Sequence, residues 1–370
     1  MTFPALRLSG SPYDQGLAHG AALRDRIEHN RDVYFDRFWR EGGVAREEVL
    51  RRAALYQGVI ARENPDYAAG MSGIAAASGL PELEIVALNV RYEILYDAFV
   101  VRTQELYGAD GCTAFALAPQ ATASGHLLLG QNWDWIPEVK GAVVESTTPG
   151  YPQTLAFTEA GIFGGKIGLN SAGLGLAING ITTVDDDWAR LLKPFHVRCY
   201  EILQQTSIAA AQAVLGRSER ACSGNFLLAQ RPDQAVNVEA APTVTNELGW
   251  QDGCIVHANH FVDPDALGVV EPPDPDVRRY SCRRHDRLEG LLRAAAPVRL
   301  SDIQTALRDH GTVPRTICRH EDLQAPIDEQ YRTVTSVIMD LETLQMWISD
   351  GPPCTYDYDM LSLQASAPPV

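Results

Sequence analysis

The residues best suited to chemistry in this sequence are Gly111-Cys112-Thr113, followed by Gly130-Gln131-Asn132-Trp133-Asp134-Trp135. A thiolate is a strong nucleophile, and a glycine before it leaves the backbone open to close approach. The pair sits where a helical texture gives way to a strand-like one. Read alone, it supports two readings: a reactive thiol, or a buried packing cysteine, which is the commoner fate of a free cysteine. His257 and His260, with Asp263 nearby, raise a metal reading. Their spacing lacks the glutamate of HExxH and supplies too few ligands, so no metal site is expected there. The other cysteines, Cys199, Cys222, Cys254, Cys282, Cys318 and Cys354, are widely spaced without a CxxC pair. They read as mostly buried thiols, Cys222, Cys254 and Cys318 among them, not as a disulfide framework or a cysteine zinc site. Asp185-Asp186-Asp187 reads as a solvated turn.

The elements that must position these groups follow from periodicity. Residues 1–100 look helical, with apolar residues at near-helical spacing over Ala21–Phe38 and over Glu82–Phe99, the second after Pro81. Short strands are expected at Thr113–Leu117, His126–Gly130, Ala142–Glu145 and Thr154–Phe157. Ile162–Leu169 and Leu174–Ile181 flank Asn170-Ser171-Ala172-Gly173, a hairpin signal. Helices are expected at Pro194–Gln205, at Ser207–Leu215 before Gly216, and from the Ser301-x-x-Gln304 capping box to about His310. Phe226–Ala229, Ala235–Ala240, Thr333–Met339 and Leu344–Ile348 read as strands, and Pro264–Val277 as a loop. Strands in runs, not strictly alternating with helices, favour an α+β layered fold over a doubly wound sheet.

Taken together, the pieces resemble the isopenicillin N acyltransferase-like family of self-cleaving N-terminal-nucleophile hydrolases, also described as acyl-CoA:6-aminopenicillanic acid acyltransferase-related. The matching segments are Asp110-Gly111-Cys112-Thr113, Gly130-Gln131-Asn132-Trp133-Asp134, Gly168-Leu169-Asn170-Ser171-Ala172-Gly173, His257-Ala258-Asn259-His260, Ile317-Cys318-Arg319 and Ser336-Val337-Ile338-Met339-Asp340. They run in the family's order, and Gly10–Gly16 followed by His19-Gly20 looks like its N-terminal signature.

The resemblance implies a four-layer αββα sandwich in a single domain, residues 1–370. It also implies cleavage of the Gly111–Cys112 bond by the protein itself, giving an αβ heterodimer of residues 1–111 and 112–370. Cys112 would be the nucleophile. Its freed amine, with a pKa of about 7.7–8.0, would be the base. Asp134 would position that amine, Asn259 would donate to the oxyanion, and Arg319 would hold Asp134 or a substrate carboxylate. Asn132, Trp133, Trp135, Phe163 and Trp188 are the candidates for shaping a pocket. No cofactor is implied.

Composition bounds the partners. The chain has 370 residues, 45% hydrophobic and 21% charged, as in a protein with a large core. A net charge of −16 repels phosphate backbones, so nucleic acid is not an expected partner. No apolar run approaches the ~20 residues that cross a bilayer. Met1-Thr2-Phe3-Pro4 has no signal-peptide character, which with the free cysteines suggests a cytoplasmic protein. The expected substrate is a small amide or acyl compound. Hydrolysis of an N-acyl compound is favoured because no phosphate-cradling glycine loop is evident. Transfer of an acyl group to an amine, with acyl-CoA a possible donor, is the alternative. An inactive binding protein on the same fold is a second one, and higher oligomers are left open.

Overall fold

The computed structural model describes residues 3–95, 111–216, 219–273, 275–313, 315–327 and 330–363. The last four residues of the helix expected over 82–99, and Ala109-Asp110 of the motif, lie outside these.

The chain opens with strand β1 (Ala5–Ser9), a departure from the all-helical expectation for residues 1–100. Helices α1 (Pro12–Ala22), α2 (Arg24–Arg40), α3 (Arg46–Glu63), α4 (Pro65–Ser78) and α5 (Glu82–Asn89) follow, with residues 91–95 also helical. Ser11 caps α1: its hydroxyl accepts from Asp14 N at 3.2 Å, while Ser11 N donates to the Asp14 carboxylate. The glycines of the N-terminal signature let α1 and α4 cross backbone to backbone. A Cβ on Gly16 would overlap the Gly70 carbonyl, and one on Gly73 would overlap the Tyr13 carbonyl.

Two sheets form the centre. The first has the order β1, β4 (Gly141–Thr147), β5 (Thr154–Glu159), β6 (Ile167–Asn170), β7 (Leu174–Asn179), β8 (Gly224–Gln230), β9 (Gln234–Ala240) and β10 (Thr245–Leu248). The second has the order β11 (Cys254–His257), β2 (Thr113–Leu117), β3 (Leu128–Trp135), β12 (Arg332–Asp340), β13 (Gln345–Ser349) and β14 (Asp359–Ser362). Among these ladders only β1–β4 is parallel.

The sheets pack face to face: a Cβ on Gly175 of β7 would press on Leu129 and Leu341 across the layer. Helices α6 (Phe195–Leu203) and α7 (Ile208–Gly216) cover β6–β9 of the first sheet. Helices α8 (Pro275–Ala294) and α9 (Leu300–Leu307) lie on the outer side of the second, α8 against β11 and β2. The result is the four-layer αββα sandwich.

Four local readings need correction. Ile162–Leu169 is strand only from Ile167, because Gly161 and Gly164 take positive φ (98° and 72°) and turn the chain. The stretch Pro264–Val277 contains a helical turn at Pro264–Leu267 and the start of α8. Helix α9 is capped two residues earlier than its Ser-x-x-Gln pattern suggests. The Asp302 carboxylate accepts from Arg299 N at 2.9 Å, and the helix ends at Leu307. Strand β3 begins at Leu128 and runs on to Trp135, so the whole Gln131–Trp135 motif is strand. Among the described residues no helix is long and apolar enough to cross a membrane.

Candidate active site

Strand register assembles the site. Thr113 pairs with Asn132, and Asp134 pairs with Thr333. Extending the β2–β3 register by two residues sets Cys112 across from Trp133 and Gly111 across from Asp134. Cross-strand partners share a face and successive residues alternate, so the two halves of the motif serve opposite sides of the sheet. Cys112, Trp133 and Trp135 turn toward the first sheet. Gly111, Asn132 and Asp134 turn toward α9 and the 316–320 segment.

On the second of these faces, Asp134 is fully buried. Its Oδ1 accepts from Thr333 Oγ1 at 2.7 Å, and the same hydroxyl accepts from Arg319 N at 2.9 Å. Arg319 also accepts at its carbonyl from Thr333 N, 3.0 Å, and its guanidinium lies over the Tyr331 ring. Both charged groups press on Gly111. A Cβ there would sit 2.5 Å from Asp134 Oδ2 and 2.9 Å from Arg319 Nη1. Only glycine lets the backbone approach this close. Asn132 is spent on structure: its Nδ2 donates to the carbonyls of Leu307 and Ile317, both at 2.8 Å.

On the other face, Cys112 lines a small cavity with Trp133, Trp135, Arg91, Tyr92, Ile178, Gly180 and Phe195. Its free volume of about 20 Å³ suits a single water. The thiol donates to the Asp134 carbonyl at 3.6 Å. Asn259 reaches the cavity wall by donating from Nδ2 to the Gly180 carbonyl at 2.9 Å. Its Oδ1 accepts from Arg284 Nη2 at 2.6 Å, which fixes the amide with its nitrogen toward Gly180.

Thus the structure brings Gly111, Cys112, Asp134 and Arg319 together, with Asn259 joined to them through the Gly180 wall and Arg284. Trp133 and Trp135 line the cavity, as expected of them. Phe163 and Trp188 are not among its lining residues. Phe163 packs edge-on against Tyr67, and Trp188 lies under Arg51 and Arg52. The histidine pair is engaged elsewhere: His257 Nε2 with Glu239 at 2.9 Å, and His260 Nδ1 with Ser281 at 2.7 Å. Asp263 caps the Pro264 turn.

Sequence reasoning missed three groups. Thr333 reads as an ordinary strand threonine. Arg284 is fully buried, and burial pulls its guanidinium down to about 10 against the opposing pull of Asp134. Its Nε reaches Thr113 Oγ1 at 3.4 Å, next to Cys112 in the chain. A signal existed: Ser281, Arg284, Leu288 and Leu292 form the buried stripe of α8, where an arginine is anomalous. The third is the charge cluster behind the tryptophans. Glu159 accepts from Arg91, Lys166 and Tyr34 in the core, with Arg91 Nε at 3.0 Å. Lys166 Nζ stands 3.1 Å from the Trp133 ring centre, and Arg91 Cζ 4.7 Å from that of Trp135.

A family model described as acyl-coenzyme A:6-aminopenicillanic acid acyl-transferase matches residues 121–353, more than half of the chain. Comparison with curated proteins finds no match. Among solved structures, the chain is similar to a Caenorhabditis elegans ortholog of N-acylethanolamine-hydrolyzing acid amidase. The identity is 14% over 62% of this chain and 93% of that one, with a TM-score of 0.44. A variant of conjugated bile acid hydrolase from Clostridium perfringens matches at 12% identity over 69% and 98%, TM-score 0.46. Penicillin V acylase from Agrobacterium tumefaciens matches at 13% over 68% and 86%, TM-score 0.42.

Proposed function

This chain belongs to the acyl-coenzyme A:6-aminopenicillanic acid acyl-transferase family, and on that premise we propose that it cuts its own Gly111–Cys112 bond and then works as an N-terminal-cysteine amidohydrolase on small N-acyl compounds. The observation that carries this reading is the crowding at Gly111, where Asp134 and Arg319 flank the bond to be cut while the Cys112 thiol lines a cavity behind it.

In the first step the Cys112 sulfur attacks the Gly111 carbonyl. The C–N bond breaks, a thioester forms, and the freed nitrogen takes the thiol's proton. Water then hydrolyses the thioester, leaving a Gly111 carboxylate and a free Cys112 amine. That amine is generated beside Asp134, whose carboxylate holds and orients it. At a pKa of about 7.7–8.0 it takes the thiol proton during turnover. The thiolate adds to the substrate carbonyl, and the oxyanion is met by N–H groups on the Gly180 side, Asn259 Nδ2 first among them. One such donor lowers the barrier by about 3–4 kcal/mol. The amine product leaves with the proton, and water releases the acyl group from sulfur.

The family's description keeps acyl transfer to an amine as the second reading, with the same thioester intercepted by an amine in place of water. Intact mass under denaturing conditions tests the first claim: two chains are expected, the larger beginning at Cys112. A wild-type protein that stays whole at 40.5 kDa on long incubation overturns it. Incubation of the processed enzyme with N-acyl substrates, with and without a competing amine, tests the second. Free acid formed without the amine supports hydrolysis; product formed only with the amine makes it a transferase.

A further inference from the structure

Outside the cavity, four potential ligand side chains converge at one place. His310 follows α9, Cys318 and His320 flank Arg319, and Cys354 lies in the turn after β13. Their ligand atoms all fall within 4.8 Å of one another. His310 Nε2 is 3.2 Å from His320 Nε2, which is 3.1 Å from Cys354 Sγ and 4.0 Å from Cys318 Sγ.

We infer that these residues form a tetrahedral Cys2His2 site for zinc(II). With Zn–N bonds near 2.0–2.1 Å and Zn–S bonds near 2.3 Å, a tetrahedron needs N···N distances of about 3.3 Å and N···S distances of about 3.6 Å. The N···N separation of 3.2 Å lies close to its value, and the N···S separations of 3.1 and 4.0 Å bracket theirs. Hydrogen bonding alone accounts for the cluster poorly, because three groups converge on His320 Nε2, and an imidazole nitrogen carries only one proton or one lone pair. Two thiolates cancel the charge of the ion, so the filled site adds no net charge near Arg308, which donates to the Pro353 carbonyl.

The backbone is already held for the purpose. Cys318 N donates to the Asp309 carbonyl at 3.0 Å, and Arg308 Nε to the Pro353 carbonyl at 2.8 Å. These bonds tie together the three stretches that supply ligands. His310, His320 and Cys354 are exposed, so an ion has an entry path. Neither a CxxC pair nor an HxxxH pair announces the site. Its ligands come from residues 310, 318, 320 and 354, which only the fold brings together.

The consequence bears on the reactive centre, because Cys318 and His320 are the immediate neighbours of Arg319. An ion held by both would fix the backbone that presents the guanidinium to Gly111. The role is positional, and the binding claim stands apart from the proposed reaction.

Metal analysis of the full-length protein, purified without chelator and dialysed after incubation with zinc(II), is the test. About one zinc per chain is expected in wild type and in a Cys282→Ser control, and at least a tenfold lower occupancy in His310→Ala/Cys354→Ser. Cobalt(II) added to apo wild type should give the intense thiolate-to-cobalt band of a tetrahedral site, weakened in Cys354→Ser. Chelator should lower the wild-type melting temperature and leave the double variant unmoved. Wild type that retains no stoichiometric zinc overturns the inference. So does a Cys318–Cys354 disulfide in a non-reducing peptide map of freshly purified protein. These readouts do not depend on turnover, so their failure is distinct from failure of the proposed function.

Discussion

Two buried polar clusters flank Cys112, the nucleophile of the proposed reaction, and they are built on different logic. The one at Gly111 is a relay of single hydrogen bonds: Arg319 N to Thr333, Thr333 to Asp134, with Arg284 and Asn259 beside it. Its atoms face a backbone bond and a wall of the cavity. The one behind the tryptophans concentrates charge. Burial works against the Glu159 carboxylate, yet Arg91 and Lys166 hold it well below the usual carboxylate range. Burial and the Arg91 charge pull Lys166 down to about 7. Arg91 and Glu159 thus balance each other, and Lys166 need not carry a proton. The difference teaches a division of labour. The first cluster is arranged around the Gly111–Cys112 bond, whereas the second fixes the ring planes that wall the thiol in.

The comparison can be broken by experiment. Cys112→Ala should remove turnover by a factor on the order of 10⁶, as loss of a nucleophile does, and leave the chain uncut with a near-native unfolding midpoint. A large stability loss in that variant would erase the contrast. Glu159→Gln should do the reverse. It leaves the buried Arg91 guanidinium uncompensated and costs about 3–5 kcal/mol, read by urea unfolding. Asn259→Ala should lower kcat by about 10²–10³ with little change in KM, as loss of one oxyanion donor does; a pure KM effect would move Asn259 out of the chemistry.

Lys166→Met should have the smallest effect, and one seen mainly in pH dependence. The lysine is pulled down to about 7 in the fold and lies near 10.4 in the unfolded chain. Between those values the unfolded state binds the extra proton, so stability rises with pH through that window. The Met variant should flatten that rise in melting temperatures taken from pH 7 to 10.

How far the sequence reveals these clusters depends on distance along the chain. Cys112, Asp134 and Asn259 sit in short motifs next to strands whose alternation is visible, and adjacent antiparallel strands bring 112 and 134 together by register alone. The same alternation identifies Trp133 and Trp135 as neighbours of the thiol. Phe163 fails as a pocket residue because Gly161 and Gly164 turn the chain, directing its ring against Tyr67. The Glu159 cluster is not legible, because its members come from residues 34 and 91 on two helices, 159 at the end of a strand and 166 in the turn after it. A lone glutamate ending a strand carries no mark of its future cations. Arg284 is the intermediate case: helical periodicity puts it on a buried stripe, but its partner Asn259 belongs to another layer.

The crossing of α1 on α4 through bare glycine backbone has a consequence for a chain cut at 111. In such a chain the leading piece would be no detachable prosegment. It supplies Arg91 to the cavity and Tyr34 to Glu159, while Asn30 donates to the Lys140 and Ala160 carbonyls and His19 Nε2 accepts from Gly161 N. Its own helices are locked to one another too tightly to peel away one by one. Severing the backbone would therefore leave one indivisible body whose cavity is lined from both sides of the break, and dilution alone would not separate the halves.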